Sequence, residues 1–363
     1  MDTRKNDRLK DGDLSLSLFS KSSTPPKTFY LDPATFAPMA YSIGVDNIGQ
    51  AFHKLQLYGV GLANDETVKA TMANFQCFLA INYIWDTSAE VGIPQTTIIT
   101  IRSLFNQPRF NFSPSNNLLL CSLESELSAG KIEQEASKDD VVAVDVIDIF
   151  RSMKNDLPQT YYPFSADEGE DSFVHKALHA MISTVFSDFK KKWANKSAEG
   201  SKERRKEDDR EGLRPDLQIT INNQIVLFME VKPPSCATEL KYLADRWKLA
   251  NLAKDELDAS LRKHIRLPFV TTIQVFGHRM EIHTVSLQNG LYHFHQQFQM
   301  YVPRARDDAG PVRACLQALY SVKSWLQDLR LPPTFELVQS RPRPAELDDI
   351  KKSKITPTKR IMF

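Results

Sequence analysis

The chain has 363 residues, 42% of them hydrophobic and 25% charged, with 46 basic against 45 acidic side chains and a formal net charge of +1. That composition suits a globular protein with a sizeable core, and the length favours two domains. No apolar stretch approaches the ~20 residues that a membrane span needs, and the opening MDTRKNDRLKDGD lacks a secretory hydrophobic segment, so an intracellular protein is expected.

Residues 1–28 are polar and rich in serine, lysine and proline, the composition of a disordered segment. Residues 29–158 read as a mainly helical accessory region, with Thr67 to Trp85 its best helix and Ile98 to Phe105 ambiguous. The stretch from Glu124 to Asp156 carries nine acids against four bases, which argues against that part as a nucleic-acid surface. Next, Asp171 is placed to cap a helix running to about Trp193, with Val174, Leu178, Met181, Val185 and Phe189 at helical spacing. Lys190 to Lys206, KKKWANKSAEGSKERRK, holds eight basic and two acidic residues. It reads either as a loop that tracks a phosphate backbone or as a plain solvated loop. It also resembles a bipartite nuclear import signal, which admits the nucleus as the compartment, with the cytoplasm otherwise.

Gly212 to Pro234, GLRPDLQITINNQIVLFMEVKPP, spells two strands joined by a turn, with Asp216 opening the first and Glu230-Val231-Lys232 closing the second. Leu217, Ile219 and Ile221 share one face, whereas both faces of the second strand are largely apolar, as in an interior strand. Asp216 shares a face with Glu230 only if paired positions sum to an even number, so an odd-length loop, Asn222-Asn223-Gln224, is expected. Pro233-Pro234 stops the strand and leaves Lys232 at the sheet's rim. A helix follows from about Thr238 to His264, burying Leu240, Leu243, Trp247, Ala250, Leu257 and Leu261. Strands are expected at Phe269 to Phe276, Met280 to Leu287 and Leu291 to Phe298, and a helix at Pro311 to Leu329 before a proline-containing basic tail. Gln274 lies in the first of these strands, with nothing in the sequence to aim it.

Two carboxylates hold a hard, oxygen-seeking cation, which lowers the pKa of a bound water, and a lysine on the same strand face can stabilise a developing phosphorane. The spacing resembles the PD-(D/E)xK phosphodiesterase superfamily and, more loosely, proteins of this type found in fungi. The resemblance spans about residues 165 to 290 and is carried by the motif alone. It implies an α/β (α+β) restriction-endonuclease-like fold, a mixed sheet flanked by helices. Residues 159–303 would form that domain, 304–331 a C-terminal helix and 332–363 the tail. It makes Asp216 the motif aspartate, Glu230 the second carboxylate and Lys232 the lysine, with the Val231 carbonyl completing the shell of Mg2+ (or Mn2+). A family acid from the preceding helix points to Glu170 among Asp167, Glu168, Glu170 and Asp171, and basic side chains of the following helix to Lys241 and Lys248. Lys202, Arg204, Arg205 and Lys206 add nucleic-acid contacts. The family also places a strand between that helix and the aspartate. Residues 194–214 are polar, so that strand is either short and irregular or supplied by Val141 to Phe150.

The expected function is therefore a magnesium-dependent nuclease, with DNA favoured over RNA as its partner. The alternative is a degenerate version of the fold acting as a nucleic-acid or protein interaction module. Other signals fall short. Cys77, Cys121, Cys236 and Cys315 lack knuckle spacing and read as reduced core residues. His293-x-His295, with His278 and His283 nearby, lacks partners for a zinc set and reads as structural. Gly59-Val60-Gly61 and Gly130-Lys131 complete no phosphate loop, and no G-x-S-x-G elbow is present.

Overall fold

The computed structural model describes residues 30–65, 67–87, 93–161, 169–193, 197–206, 212–329, 331, 350–351 and 354. The segment 1–28, most of the tail, Asp167 and Glu168, and the side chains of Arg205 and Lys206 lie outside these residues. The described part from Leu31 onward belongs to one compact unit. No helix among the described residues is long and apolar enough to cross a membrane.

A two-residue ladder, β1 (Ser42–Ile43) with β2 (Asp46–Asn47), leads into α1 (Ile48–Asn64), whose first turn is closed by Asn47 accepting the Gln50 N–H at 2.8 Å. α2 (Phe75–Ile81) and β3 (Ile84–Asp86) then occupy the stretch expected as one long helix. That helix fails for two reasons. Asn74 accepts the Thr71 N–H in a turn, and Tyr83 adopts a left-handed φ of 62°, after which fully buried Ile84 and Trp85 run parallel to a strand at the far end of the chain. Tertiary pairing overrides local helix preference here. The ambiguous segment is helical, α3 (Gln95–Phe105), and α4 (Pro114–Ser128) and α5 (Val141–Asp156) carry Ser113 and Asp140 as N-caps.

The next helix is shorter than its periodicity predicts. α6 (Glu170–Phe173) is capped by Gly169 rather than Asp171, a π-turn spans Val174–Leu178, and α7 (His179–Val185) ends eight residues before Trp193. Lys190–Trp193 instead forms an edge strand, β4, antiparallel to β5 (Leu217–Ile221). The strand before the motif is thus not supplied by Val141–Phe150, which is helix; it is short, but it lies ahead of the polar 194–214 stretch, where the preceding helix was expected to end. The lysine-rich segment is regular in its described ends rather than a loop there: its first part is β4 and its end is α8 (Glu199–Lys206). Lysines on an unpaired edge discourage further strand addition.

β5 pairs with β6 (Gln224–Lys232), which runs parallel to β7 (Val270–Phe276) across the helical crossover α9 (Glu239–Arg262). β8 (Arg279–Gln288) and β9 (Leu291–Tyr301) continue antiparallel, giving a seven-stranded mixed sheet in the order β3-β9-β8-β7-β6-β5-β4. α9 covers the face that carries Glu230, Gln274 and Glu281. α10 (Gly310–Gln327) covers the other, where Trp325 stacks on Phe298 at 5.8 Å. The architecture is thus mixed α/β, with helices on both faces of one sheet.

The β5–β6 turn corrects an expectation. Its loop has two residues, Asn222 and Asn223, both left-handed (φ 48° and 64°), as a tight hairpin turn requires. Alone it would put the motif carboxylates on opposite faces. A bulge restores the match: Thr220 faces Ile225 while Ile219 faces Leu227, so Val226 is the extra residue and the pairing of Leu217 with Met229 has an even sum. The same outcome is reached by a different device.

Candidate active site

Asp216 and Glu230 meet at the rim where β6 ends. The Asp216 N–H donates to Met229 O at 3.0 Å, and its Oδ2 accepts the Val231 N–H at 2.7 Å, fixing the carboxylate beside the second strand. Glu230 is 1% exposed under α9, and Lys248 Nζ lies 2.5 Å from its Oε1. This ion pair leaves Oε1 without a well-directed hydrogen bond. Burial pushes the Glu230 carboxyl up to about 8; Lys248 opposes the rise, while Asp216 and Asp245 add to it.

Lys232 Nζ reaches into the same cluster. It donates to Val231 O at 2.9 Å and to Glu170 Oε2 at 3.2 Å, and lies 3.8 Å from Asp245 Oδ2. Burial is the largest single influence and favours its neutral form. Asp245, Asp216, Glu170 and Glu230 together outweigh burial and hold the ammonium above its ordinary value, hence charged. Glu170, at the start of α6, is raised by burial and by Asp216, with Lys232 opposing.

Asp245 was not legible as a site residue. Burial raises its carboxyl to about 6, against the pull of Lys232 and Lys248. Its one signal is position: it stands four residues after Lys241 and three before Lys248, on the helix that follows the motif strand. Lys241 is exposed, and its backbone N–H donates to the Thr238 hydroxyl at 3.4 Å. Gln274 sits opposite Glu230 in the β6–β7 ladder, and its Nε2 donates to Tyr242 O at 2.8 Å.

The basic residues before the motif divide. Arg204 is engaged by Asp255, with Nε 2.7 Å from a carboxylate that is fully buried on α9. Lys202 instead lines an open cleft of about 420 Å³ with Lys192, Gln218 and Thr220. Lys192 pairs with Gln218, which shares the sheet face of Asp216, so this cleft lies along the same face as the motif.

The donor set suits a hard divalent cation. Four carboxylates, Glu170, Asp216, Glu230 and Asp245, surround two ammonium groups, Lys232 and Lys248, leaving a formal excess of two negative charges. As placed, the two lysines stand between the acids, and no ready coordination shell is formed among the described residues.

The remaining calls concern cysteine and histidine. All four cysteines are free; Cys77 and Cys315 are buried, but Cys121 and Cys236 are exposed rather than core residues. His283 stacks on Phe294 and His293 on Phe105, both at 4.3 Å, and burial lowers the His293 pKa to about 3. The chain matches no protein-family model, no curated protein and no solved structure.

Proposed function

We propose that the chain is a metal-dependent phosphodiesterase acting on nucleic acid, with DNA the favoured substrate, built on a PD-(D/E)xK (restriction-endonuclease-like) scaffold. The observation that carries this reading is the bulge-corrected register, which brings Asp216 and Glu230 onto one face with the Lys232 ammonium among the acids. Asp216, Glu230 and the Val231 carbonyl would hold Mg2+ or Mn2+, with Glu170 as a further oxygen donor. Bound there, the ion supplies a lowered water pKa and neutralises phosphate charge. Lys232, kept charged by its acidic neighbours, would donate to the phosphoryl oxygens, and Asp245 and Glu170 orient it. Incubating the folded protein with magnesium or manganese and single- or double-stranded DNA or RNA tests the reading; an inert protein sinks it. A second reading, a non-catalytic module, is favoured by the Lys248–Glu230 ion pair, which already satisfies much of one ligand's charge. Calorimetry separates the two, since only the first binds magnesium or manganese.

The Glu230 proton gives metal binding a pH dependence. A ligand whose pKa is about 8 must lose its proton to the cation, so affinity should rise by up to about tenfold per pH unit between pH 6 and 8. Without metal the linkage has the opposite sense. The folded Glu230 and Asp245 pKa values of about 8 and about 6 lie above their unfolded values, so the stability these two groups contribute is fully present below the ordinary carboxylate range and is lost as pH rises through them. Magnesium titrations and metal-free melts at three pH values check both slopes; a flat affinity contradicts the ligand role of Glu230.

Backbone binding belongs to the open cleft. Replacing Lys192 and Lys202 by alanine should weaken all duplex DNA alike and reduce the log–log salt slope by about 0.9 per lost phosphate contact. An unchanged slope assigns both lysines to the solvated surface. Arg204 is left intact in that experiment, because its removal would strand the buried Asp255.

A further inference from the structure

The row of paired residues that holds Glu230 continues across the sheet. Glu230 faces Gln274, Gln274 faces Glu281, and Glu281 faces Gln299, so all four point to the side covered by α9. At ~4.8 Å per strand, Glu281 lies about 10 Å from Glu230. There, on the far flank of the first turns of α9, is a second cavity of about 340 Å³.

Its chemistry differs from that of the metal cluster. Arg246 is buried between Asp86, at 2.6 Å, and Glu281, at 2.7 Å, and Arg279 Nη2 lies 3.0 Å from Glu281. Two guanidinium groups thus match two carboxylates, and the cavity has no net charge with which to select a phosphate. Its walls include the flat or soft surfaces of Phe75, Met72 and Tyr242, and Arg279 lies over the Tyr242 ring at 4.7 Å. Two polar atoms of its lining residues are buried without a hydrogen-bond partner among the described residues: Arg279 Nε, a donor, and Gln76 Oε1, an acceptor. Gln296 and Gln299, hydrogen-bonded at 3.2 Å, add amide edges. A neutral cavity of this size, with apolar walls and both donors and acceptors wanting partners, fits a flat, uncharged, hydrogen-bonding ring.

We propose that this cavity receives one unstacked nucleobase of the strand held at the Asp216–Glu230 site. The inference rests on the nucleic-acid reading above and adds that the protein grips a base as well as the backbone. Extruding a base costs unstacking energy, which a single-stranded substrate largely avoids, so single strands are the favoured ligand. Each base stacked on an aromatic wall is worth ~1–3 kcal/mol, or about 5- to 150-fold in affinity.

The test compares two single strands of roughly 12 nucleotides, a length within the site sizes of single-strand binders, one of mixed sequence and one abasic throughout. Binding is read by fluorescence anisotropy with calcium in place of magnesium. The parent should bind the base-bearing strand at least about fivefold tighter than the abasic one. Gln76→Leu and Arg279→Ala should narrow that gap while leaving abasic binding unchanged. If Arg279→Ala fails to fold, Gln76→Leu decides, because Gln76 makes no ion pair. Equal affinity for the two strands, or a gap that neither variant narrows, overturns this inference alone. A parent that binds neither strand overturns it together with the nucleic-acid reading.

Discussion

Lys232→Ala should keep its metal and lose its cleavage. The lysine is no ligand, so removing a positive charge from a cluster of four carboxylates leaves magnesium or manganese affinity intact or raises it. Cleavage should fall by roughly two to three orders of magnitude, the effect of deleting a preorganised donor to the transition state. Asp216→Ala and Glu230→Ala should differ, abolishing metal binding and cleavage together, since each would remove charge and a ligand from a site proposed to hold its ion by oxygen donors alone. Calorimetry beside a single-turnover cleavage assay distinguishes the patterns. Loss of metal binding in Lys232→Ala, or cleavage surviving in Asp216→Ala, would falsify these roles. Three variants that bind nucleic acid like the parent, with no cleavage in any protein including the parent, point to the non-catalytic module.

Much of this arrangement was legible because strand alternation and proline stops are local signals. Leu217, Ile219 and the apolar run through Met229 announced β5 and β6, and Pro233 ended β6 within a residue of its observed end. What was not legible depends on distant partners. Ile84–Asp86 is strand only because β9, about 200 residues later, pairs with it. Lys190–Lys192 has no apolar alternation and becomes strand through β5 alone. Val226 is bulged although nothing in an unbroken apolar run marks one valine as unpaired. Asp245 joins the site because α9 is buried nearly all round, so even a charged position of this helix is held against the sheet.

That burial sets the largest stability effect expected in the molecule. Arg246 is fully enclosed, bonded to Asp86 on β3, to Glu281 on β8 and to the Tyr242 hydroxyl. Burial alone would lower its pKa, but Asp86, Tyr242 and Glu281 together hold it above the ordinary value, so the guanidinium stays charged. Arg246→Met removes a guanidinium that touches both carboxylates. Asp86 would lose its 2.6 Å ion pair, whereas Glu281 keeps Arg279. Breaking a buried pair from one side costs about 3–5 kcal/mol. The double variant Arg246→Met, Asp86→Leu should recover much of that loss, because two apolar side chains of similar volume carry no desolvation debt. Urea unfolding of the parent, Arg246→Met, Asp86→Leu and the double variant measures the coupling. Should Arg246→Met alone unfold at the parent's urea midpoint, the network is structurally idle, and β3 is held to the sheet by its ladder with β9 and by the buried Trp85 instead.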